Sequence, residues 1–243
     1  MQLTLLGTGC PSVDYTRCGS ANLVSTKNTR ILVDCGSGVT QRLNQAKISS
    51  ADIDALFLTH LHFDHCGGAI YKDSKQRLKP SFKNAIFWVH KKHWEWAKNP
   101  NIRERASFLK ENIFPIEQSG QLKFIDDEGP FILNSSFPFS ILLVNGHTEK
   151  QMIPLIEYQG KRIAYVADLI PTVGHLPIPY IMGYDTRPLI TLEEKKTFLE
   201  DAFKKETLLF FEHDPRHELI SIKQTEKGIR MKENYSFDSY FSK

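Results

Sequence analysis

The stretch Leu58-Thr-His-Leu-His-Phe-Asp-His-Cys-Gly-Gly68 constrains this chain more than any other. Within six residues it sets four groups able to bind a metal, His60, His62, Asp64 and His65. They come directly after the apolar run Ala55-Leu-Phe-Leu58 and directly before a Gly-Gly step. Imidazoles and a carboxylate crowded at this density are costly unless a cation neutralises the carboxylate and orients the rings, and they are donors suited to zinc, iron or manganese. A polar loop with incidental histidines has no need of a buried strand to carry it. The fold must therefore deliver a strand whose end holds a metal-binding loop.

Ahead of this loop the chain reads as a β-meander of three strands, Leu3-Thr-Leu-Leu6, Ala21-Asn-Leu-Val24 and Thr29-Arg-Ile-Leu-Val-Asp34. Gly7-Thr-Gly9, Pro11-Ser12 and Thr26-Lys-Asn28 supply the turns. Asp34 closes its strand immediately before Cys35-Gly-Ser-Gly38, where α/β folds concentrate their chemistry. It caps the following helix, Val39 to Ala46, or orients metal-binding histidines from behind, and the sequence leaves both open. The strand Asp54 to Thr59 then carries the ligand loop.

Downstream, Ala85-Ile-Phe-Trp-Val89 leads into a helix, Lys92 to Ala97; the flanking His90 and His93 fit no metal spacing and read as core or surface residues. Residues 100–120 read as a charged helical excursion with a solvated face. The β pattern resumes with Leu122-Lys-Phe-Ile125, Ser140-Ile-Leu-Leu-Val144 and a hairpin, Ile153 to Tyr158 against Arg162 to Ala167. His147 and Asp168 stand at strand ends, as His60 does. The prolines of Leu169 to Asp185 exclude a regular helix, and its apolar residues need a surface, so it reads as a loop covering the site. A helix, Leu192 to Lys205, covers the outside of a sheet; the strand Leu208-Leu-Phe-Phe211 runs into His213; and Leu219-Ile-Ser-Ile222 with Ile229-Arg-Met-Lys232 closes the chain as a hairpin.

The 243 residues suffice for one large domain or two small ones, and no linker composition divides them, so a single domain over residues 1–243 is expected. A formal charge of +3, scattered along the chain, gives no argument for a nucleic-acid partner. Met1-Gln-Leu-Thr-Leu-Leu6 reads as a strand with no export signal, and no apolar run approaches the roughly 20 residues that cross a bilayer. Four cysteines, Cys10, Cys18, Cys35 and Cys66, without a Cys-x-x-Cys pairing fit a reduced, cytoplasmic setting. Cys66 reads as a small buried residue under the ligand loop.

His60, His62, Asp64, His65, His147, Asp168 and His213 together form His-x-His-x-Asp-His followed by a distant His, Asp and His. The pattern resembles the metallo-β-lactamase superfamily of dinuclear metal hydrolases along almost the whole chain. The resemblance implies an α/β fold: a four-layer αβ/βα sandwich of two mixed β-sheets with helices on the outer faces. It further implies that His60, His62 and His147 hold one ion, that Asp64, His65 and His213 hold the other, that Asp168 bridges them, and that Asp34 supports the loop. Two divalent ions about 3.5–4 Å apart hold a water as hydroxide near neutral pH, so the expected nucleophile is water. With no thiolate among these ligands zinc is the expected metal, iron, manganese and cobalt remaining open.

Within the superfamily, His60-Leu-His-Phe-Asp-His-Cys-Gly-Gly68 and Phe210-Phe-Glu-His-Asp214 look like the branch that opens N-acyl-homoserine lactones. Leu5-Leu-Gly-Thr-Gly9, Arg17-Cys-Gly-Ser20 and Asp34-Cys-Gly-Ser-Gly38 look like the ribonuclease Z and cyclic phosphodiesterase branch. The tyrosine that lactonases carry shortly after the bridging aspartate is replaced by Leu169-Ile-Pro171. Tyr184 and His175 in the covering loop are candidates to bind the leaving oxygen instead, and count with Asp64 as catalytic candidates. The long glycine- and proline-rich arm with which ribonuclease Z grips transfer RNA is absent from the sequence. The expectation is a hydrolase of a lactone or ester bond in a small molecule. A phosphodiesterase is the alternative, and a non-catalytic metal-binding module comes last. Neither a membrane nor a nucleic acid is expected as partner, and a homodimer is left open.

Overall fold

The structure, a computed structural model, describes residues 1–9 and 18–241; Cys10, the Pro11-Ser12 turn and Arg17 lie outside the described residues. The density of internal contacts divides the chain into two units, Met1–Asp127 and Glu128–Lys243.

In the first unit β1 (Gln2–Gly7), β2 (Ala21–Ser25) and β3 (Arg30–Val33) form the antiparallel meander read from the sequence. Helix α1 (Val39–Gln45) then carries the chain to β4 (Ala55–Phe57), which lies parallel to β3. Parallel neighbours need such a crossover and are buried on both faces, which is why these strands are apolar throughout rather than alternating. Leu32, Leu56 and Phe57 are fully buried, each worth about 1.5–3 kcal/mol of apolar burial. Strand β4 is shorter than the sequence reading: after Phe57 the chain leaves the sheet, with the Leu58 amide still donating to the Trp88 carbonyl (3.1 Å). The one-turn helix α2 (Phe63–Cys66) and a small hairpin, β5 (Ile70–Lys72) with β6 (Leu78–Pro80), follow. Strand β7 (Ile86–His90) and β8 (Leu122–Ile125) complete a six-stranded sheet in the order β1-β2-β3-β4-β7-β8.

Between β7 and β8 lie α3 (Lys91–Lys98) and α4 (Lys110–Gln118). This region differs from its reading as a solvated excursion. Ile113 and Ile116 of α4 enter the core, and Glu104, on the turns before it, is buried. A charge count misses this because the charges at positions 103, 105, 110 and 111 surround one residue that faces inward.

The second unit is a seven-stranded sheet in the order β15-β14-β13-β12-β11-β10-β9. Its strands are β9 (Phe131–Leu133), β10 (Ser140–Val144), β11 (Gln151–Tyr158), β12 (Lys161–Tyr165), β13 (Leu208–Phe210), β14 (Leu219–Thr225) and β15 (Gly228–Tyr235). The β11–β12 turn places Gln159 (φ 48°) and Gly160 (φ 74°) in the left-handed region, the backbone of a two-residue hairpin that matches strand twist. Within this sheet, among the described residues, only β12 and β13 pair in parallel, and α5 (Pro188–Lys204), with Pro188 in its first turn, lies between them in sequence. A short α6 (Phe237–Phe241) follows β15. Past the 3-10 turn Ala167–Leu169, residues 170–185 contain only a second 3-10 turn at Val173–His175, in keeping with their prolines. Among the described residues no helix is long and apolar enough to cross a membrane.

Candidate metal centre

The first unit presents its donors where the chain leaves β4. His60, His62 and His65 are buried, with ring centroids of His60 4.5 Å from His62 and 3.9 Å from His65. Asp64 Oδ2 lies 3.6 Å from His65 Nε2. Asp34, fully buried and left-handed (φ 57°), explains the arrangement. Its Oδ1 accepts the Thr59 amide (2.8 Å), and its Oδ2 accepts the Thr59 hydroxyl (2.8 Å) and meets His65 Nδ1 (2.9 Å). The Thr59 hydroxyl is also 3.1 Å from His60 Nδ1. Gly38, not Asp34, occupies the cap position of α1, so of the two readings of Asp34 the supporting one holds.

A second layer holds the loop itself. The His65 carbonyl accepts from Cys35 N (2.7 Å) and the Cys35 carbonyl from Gly68 N (2.7 Å), so the segment after β3 is laced to α2. A β-carbon on Gly68 would come within 2.4 Å of the Gly36 carbonyl oxygen, so only glycine fits there. His93 accepts the Leu61 amide through Nε2 (2.8 Å), and His90 caps α3 by accepting the Lys92 amide (3.2 Å). Neither is in the ligand pattern, in line with the core reading. Burial pushes the Cys66 thiol up to about 12, which leaves it an inert packing residue, and its Sγ rests on the Leu61 carbonyl (3.4 Å).

In the second unit His147 follows β10, Asp168 lies in the 3-10 turn Ala167–Leu169 after β12, and His213 follows β13. The three meet: His147 Nε2 is 3.0 Å from Asp168 Oδ2, and His213 Nε2 is 3.2 Å from Asp168 Oδ1. Asp185 Oδ1 stands 2.9 Å behind His147 at Nδ1. Glu212, fully buried, accepts the Tyr165 hydroxyl, and its Oε1 is 3.8 Å from His213 Nε2. The His147 loop is gripped by the start of α5: Glu194 accepts the Asn145 and Gly146 amides (2.8 and 2.9 Å), and Arg187 donates to the Asn145 carbonyl (2.7 Å).

These groups fit a divalent metal. They are nitrogen and carboxylate donors, all buried but the partly exposed Asp64, and the second nitrogens of His60, His65 and His147 are engaged by a hydroxyl or carboxylate, the backing that orients imidazole ligands. Burial opposes a charge on His147, yet Asp168 and Asp185 overcome it and raise its pKa to about 10. Two carboxylates thus demand a positive charge at this position, a proton or a metal ion.

Of the other candidates, His175 is held by Thr172 (Oγ1 to Nδ1, 2.9 Å), while Tyr184 is 79 % exposed on the covering loop. Glu104, Asp185 and Glu212 are the carboxylates that reading the sequence missed. None stands at a fixed spacing from a ligand; the only trace is that Glu212 precedes His213 and Asp185 ends the covering loop.

Solved structures share this architecture. A probable metal-dependent hydrolase from Staphylococcus aureus superposes with a TM-score of 0.74 at 21 % identity, covering 89 % of this chain and 82 % of that one. AidC, a dizinc quorum-quenching lactonase, gives 0.73 at 28 % identity, covering 89 % and 79 %. Among curated sequences, ribonuclease Z of Mycolicibacterium paratuberculosis (strain ATCC BAA-968 / K-10) is 48 % identical over 67 residues, 28 % of this chain and 24 % of that protein. The match to ribonuclease Z of Mycolicibacterium gilvum (strain PYR-GCK) is 48 % over 65 residues. The chain thus spans about a quarter of the length of these curated relatives. Fold and donor chemistry place the chain in the metallo-β-lactamase superfamily, with its αβ/βα fold, beside solved structures that are metal-dependent hydrolases. The model of the family described as Anti-Pycsar protein Apyc1 matches residues 1–177, and the chain belongs to that family.

Proposed function

We propose that this protein hydrolyses a phosphodiester bond in a small, nucleotide-like molecule. His60, His62, Asp64, His65, His147, Asp168 and His213 would hold two divalent ions, zinc first among them, in a single domain. Bound there, such ions supply Lewis acidity and a water nucleophile active near neutral pH. The chain's own part is orientation. Asp34 and Thr59 hold His60 and His65, and Asp185 holds His147. His175 is the better placed of the two covering-loop candidates for the leaving oxygen. Burial first and Lys195 second lower its pKa, which favours the neutral ring, and Thr172 Oγ1 holds it at Nδ1 (2.9 Å).

The observation that carries the phosphodiester reading is the segment after Asp168. Leu169 and Ile170 are buried there, so the phenol expected of a lactonase has no counterpart at that position. The ribonuclease Z matches support the same bond type. A lactone is the second reading, favoured by the 28 % identity to the lactonase AidC over 89 % of the chain. Turnover of a bis-aryl phosphate, an aryl ester and an N-acyl-homoserine lactone panel, measured side by side on zinc-loaded protein, separates them. Preference for the phosphate by orders of magnitude is expected; the same preference for a lactone overturns the reading.

A further inference from the structure

We propose that Glu104 is the positioning residue of His62. It decides which ring nitrogen is presented to a metal ion, and so sets the affinity for that ion. The inference rests on the reading of His62 as a ligand.

Glu104 is only 3 % exposed, and its two oxygens have separate tasks. Oε1 lies 3.0 Å from His62 Nε2, while Oε2 accepts the Trp96 indole N–H (2.7 Å) and the Asn101 amide (3.2 Å). Asn101 closes the turn in return, its Oδ1 accepting the amides of Arg103 (2.9 Å) and Glu104 (3.0 Å). The carboxylate cannot rotate toward solvent without stranding the buried His62 and the partly buried Trp96 and Asn101 donors, a buried one costing about 1–3 kcal/mol. The same segment is latched to the ligand loop a second time, where Phe63 N donates to the Ser107 carbonyl (2.9 Å) and the Phe108 ring lies 4.9 Å from that of His62.

A ring nitrogen facing a carboxylate at this distance keeps its hydrogen. Nε2 of His62 is therefore the donor, and the lone pair is left on Nδ1. His60 and His65 are held the other way round, through Nδ1, by Thr59 and Asp34. A simple ring flip of His62 would exchange Nδ1 for a carbon, and Glu104 is what makes the two orientations unequal. Trp96 and Asn101 act one step further out, by holding Glu104.

The test is metal affinity in wild type, Glu104→Gln and Trp96→Phe. Zinc is titrated into metal-stripped protein against a chromophoric chelator, with thermal melts of the stripped proteins in parallel. Glu104→Gln is expected to bind one equivalent about 10- to 100-fold more weakly with the stripped protein's Tm held. Trp96→Phe, which keeps the carboxylate and removes one of its donors, is expected to show a smaller loss on the same equivalent. Binding of both equivalents within twofold of wild type in both variants overturns the inference. So does a loss that simply follows a fall in the stripped protein's Tm, which marks a structural role only. A wild type that takes up no zinc removes the ligand reading itself, and is told apart by the first titration.

Discussion

Asp34 shows how a single residue can set a site from outside it. Its left-handed backbone suits Asp and Asn, whose short polar side chains tolerate that region better than other non-glycine residues. Asp34→Asn therefore keeps the conformation, removes the charge behind His65 and Thr59, and turns one of the two accepting oxygens into an NH2 donor. Metal affinity is expected to fall about 10- to 100-fold with little change in circular dichroism, read by chelator competition. Asp34→Ala also strands the Thr59 amide and hydroxyl and is expected to cost a further ~1–3 kcal/mol in urea unfolding. The candidate donors were legible as a group because such chemistry is tied to short spacings and strand ends. Their backing was not. Glu104 and Asp185 reach the histidines from 42 and 38 residues away through turns without a signature. Asp34 was legible as important but ambiguous in role, since an aspartate before Cys-Gly-Ser-Gly reads equally well as a helix cap.

Among elements, the apolar strands and α5 could be read because burial imposes a period or an unbroken run. The pair β5 and β6 could not, being three-residue strands that carry lysines and end in Pro80, nor could the equally short β9. The covering loop could be read as irregular but not as anchored, and it is anchored twice. Asp214 accepts the Val173 amide (2.9 Å), and the buried Lys195 of α5 donates to the carbonyls of His175, Pro177 and Tyr180 (3.0, 3.1 and 2.8 Å). Lys195→Met leaves three carbonyls without their donor, and limited proteolysis is expected to cut within residues 173–185 while wild type resists. Burial, opposed by Asp185, lowers the Lys195 pKa to about 8. The unfolded chain, with a lysine pKa of about 10.4, then holds more protons between those values. This group's contribution to stability accordingly rises from pH 8 to about pH 10.4, and Lys195→Met is expected to flatten that slope in denaturation curves. On the opposite side of the chain's sequence, Gly68→Ala must displace backbone at Gly36 and is expected to cost about 2–3 kcal/mol.

For the molecule as a whole, the donors are spread from residue 60 to residue 213, so ions bound by all of them would favour the folded chain over the unfolded one. A ligand at 100 times its Kd adds about 2.7 kcal/mol per site, and each kcal/mol moves Tm by about 2–4 °C at this size. Chelation is expected to abolish hydrolysis and lower Tm by at least ~5 °C, with zinc restoring both. Persistence of activity in stripped protein would sink the metal-dependent reading. The fold class was legible through the family resemblance that the donor pattern carries. The bond cleaved was not, because the stretches that resemble one branch or the other lie around the site rather than in its donor set.

The residue just before Asp168 has a consequence for engineering. Ala167 also holds a left-handed backbone (φ 43°), where an alanine costs roughly 1–2 kcal/mol. Ala167→Gly should thus yield a protein that melts higher but takes up added zinc less firmly, since the freedom that relieves the turn also loosens the carboxylate beside it. A thermostability screen blind to metal content would select this variant and record as an improvement what a zinc titration would register as a loss.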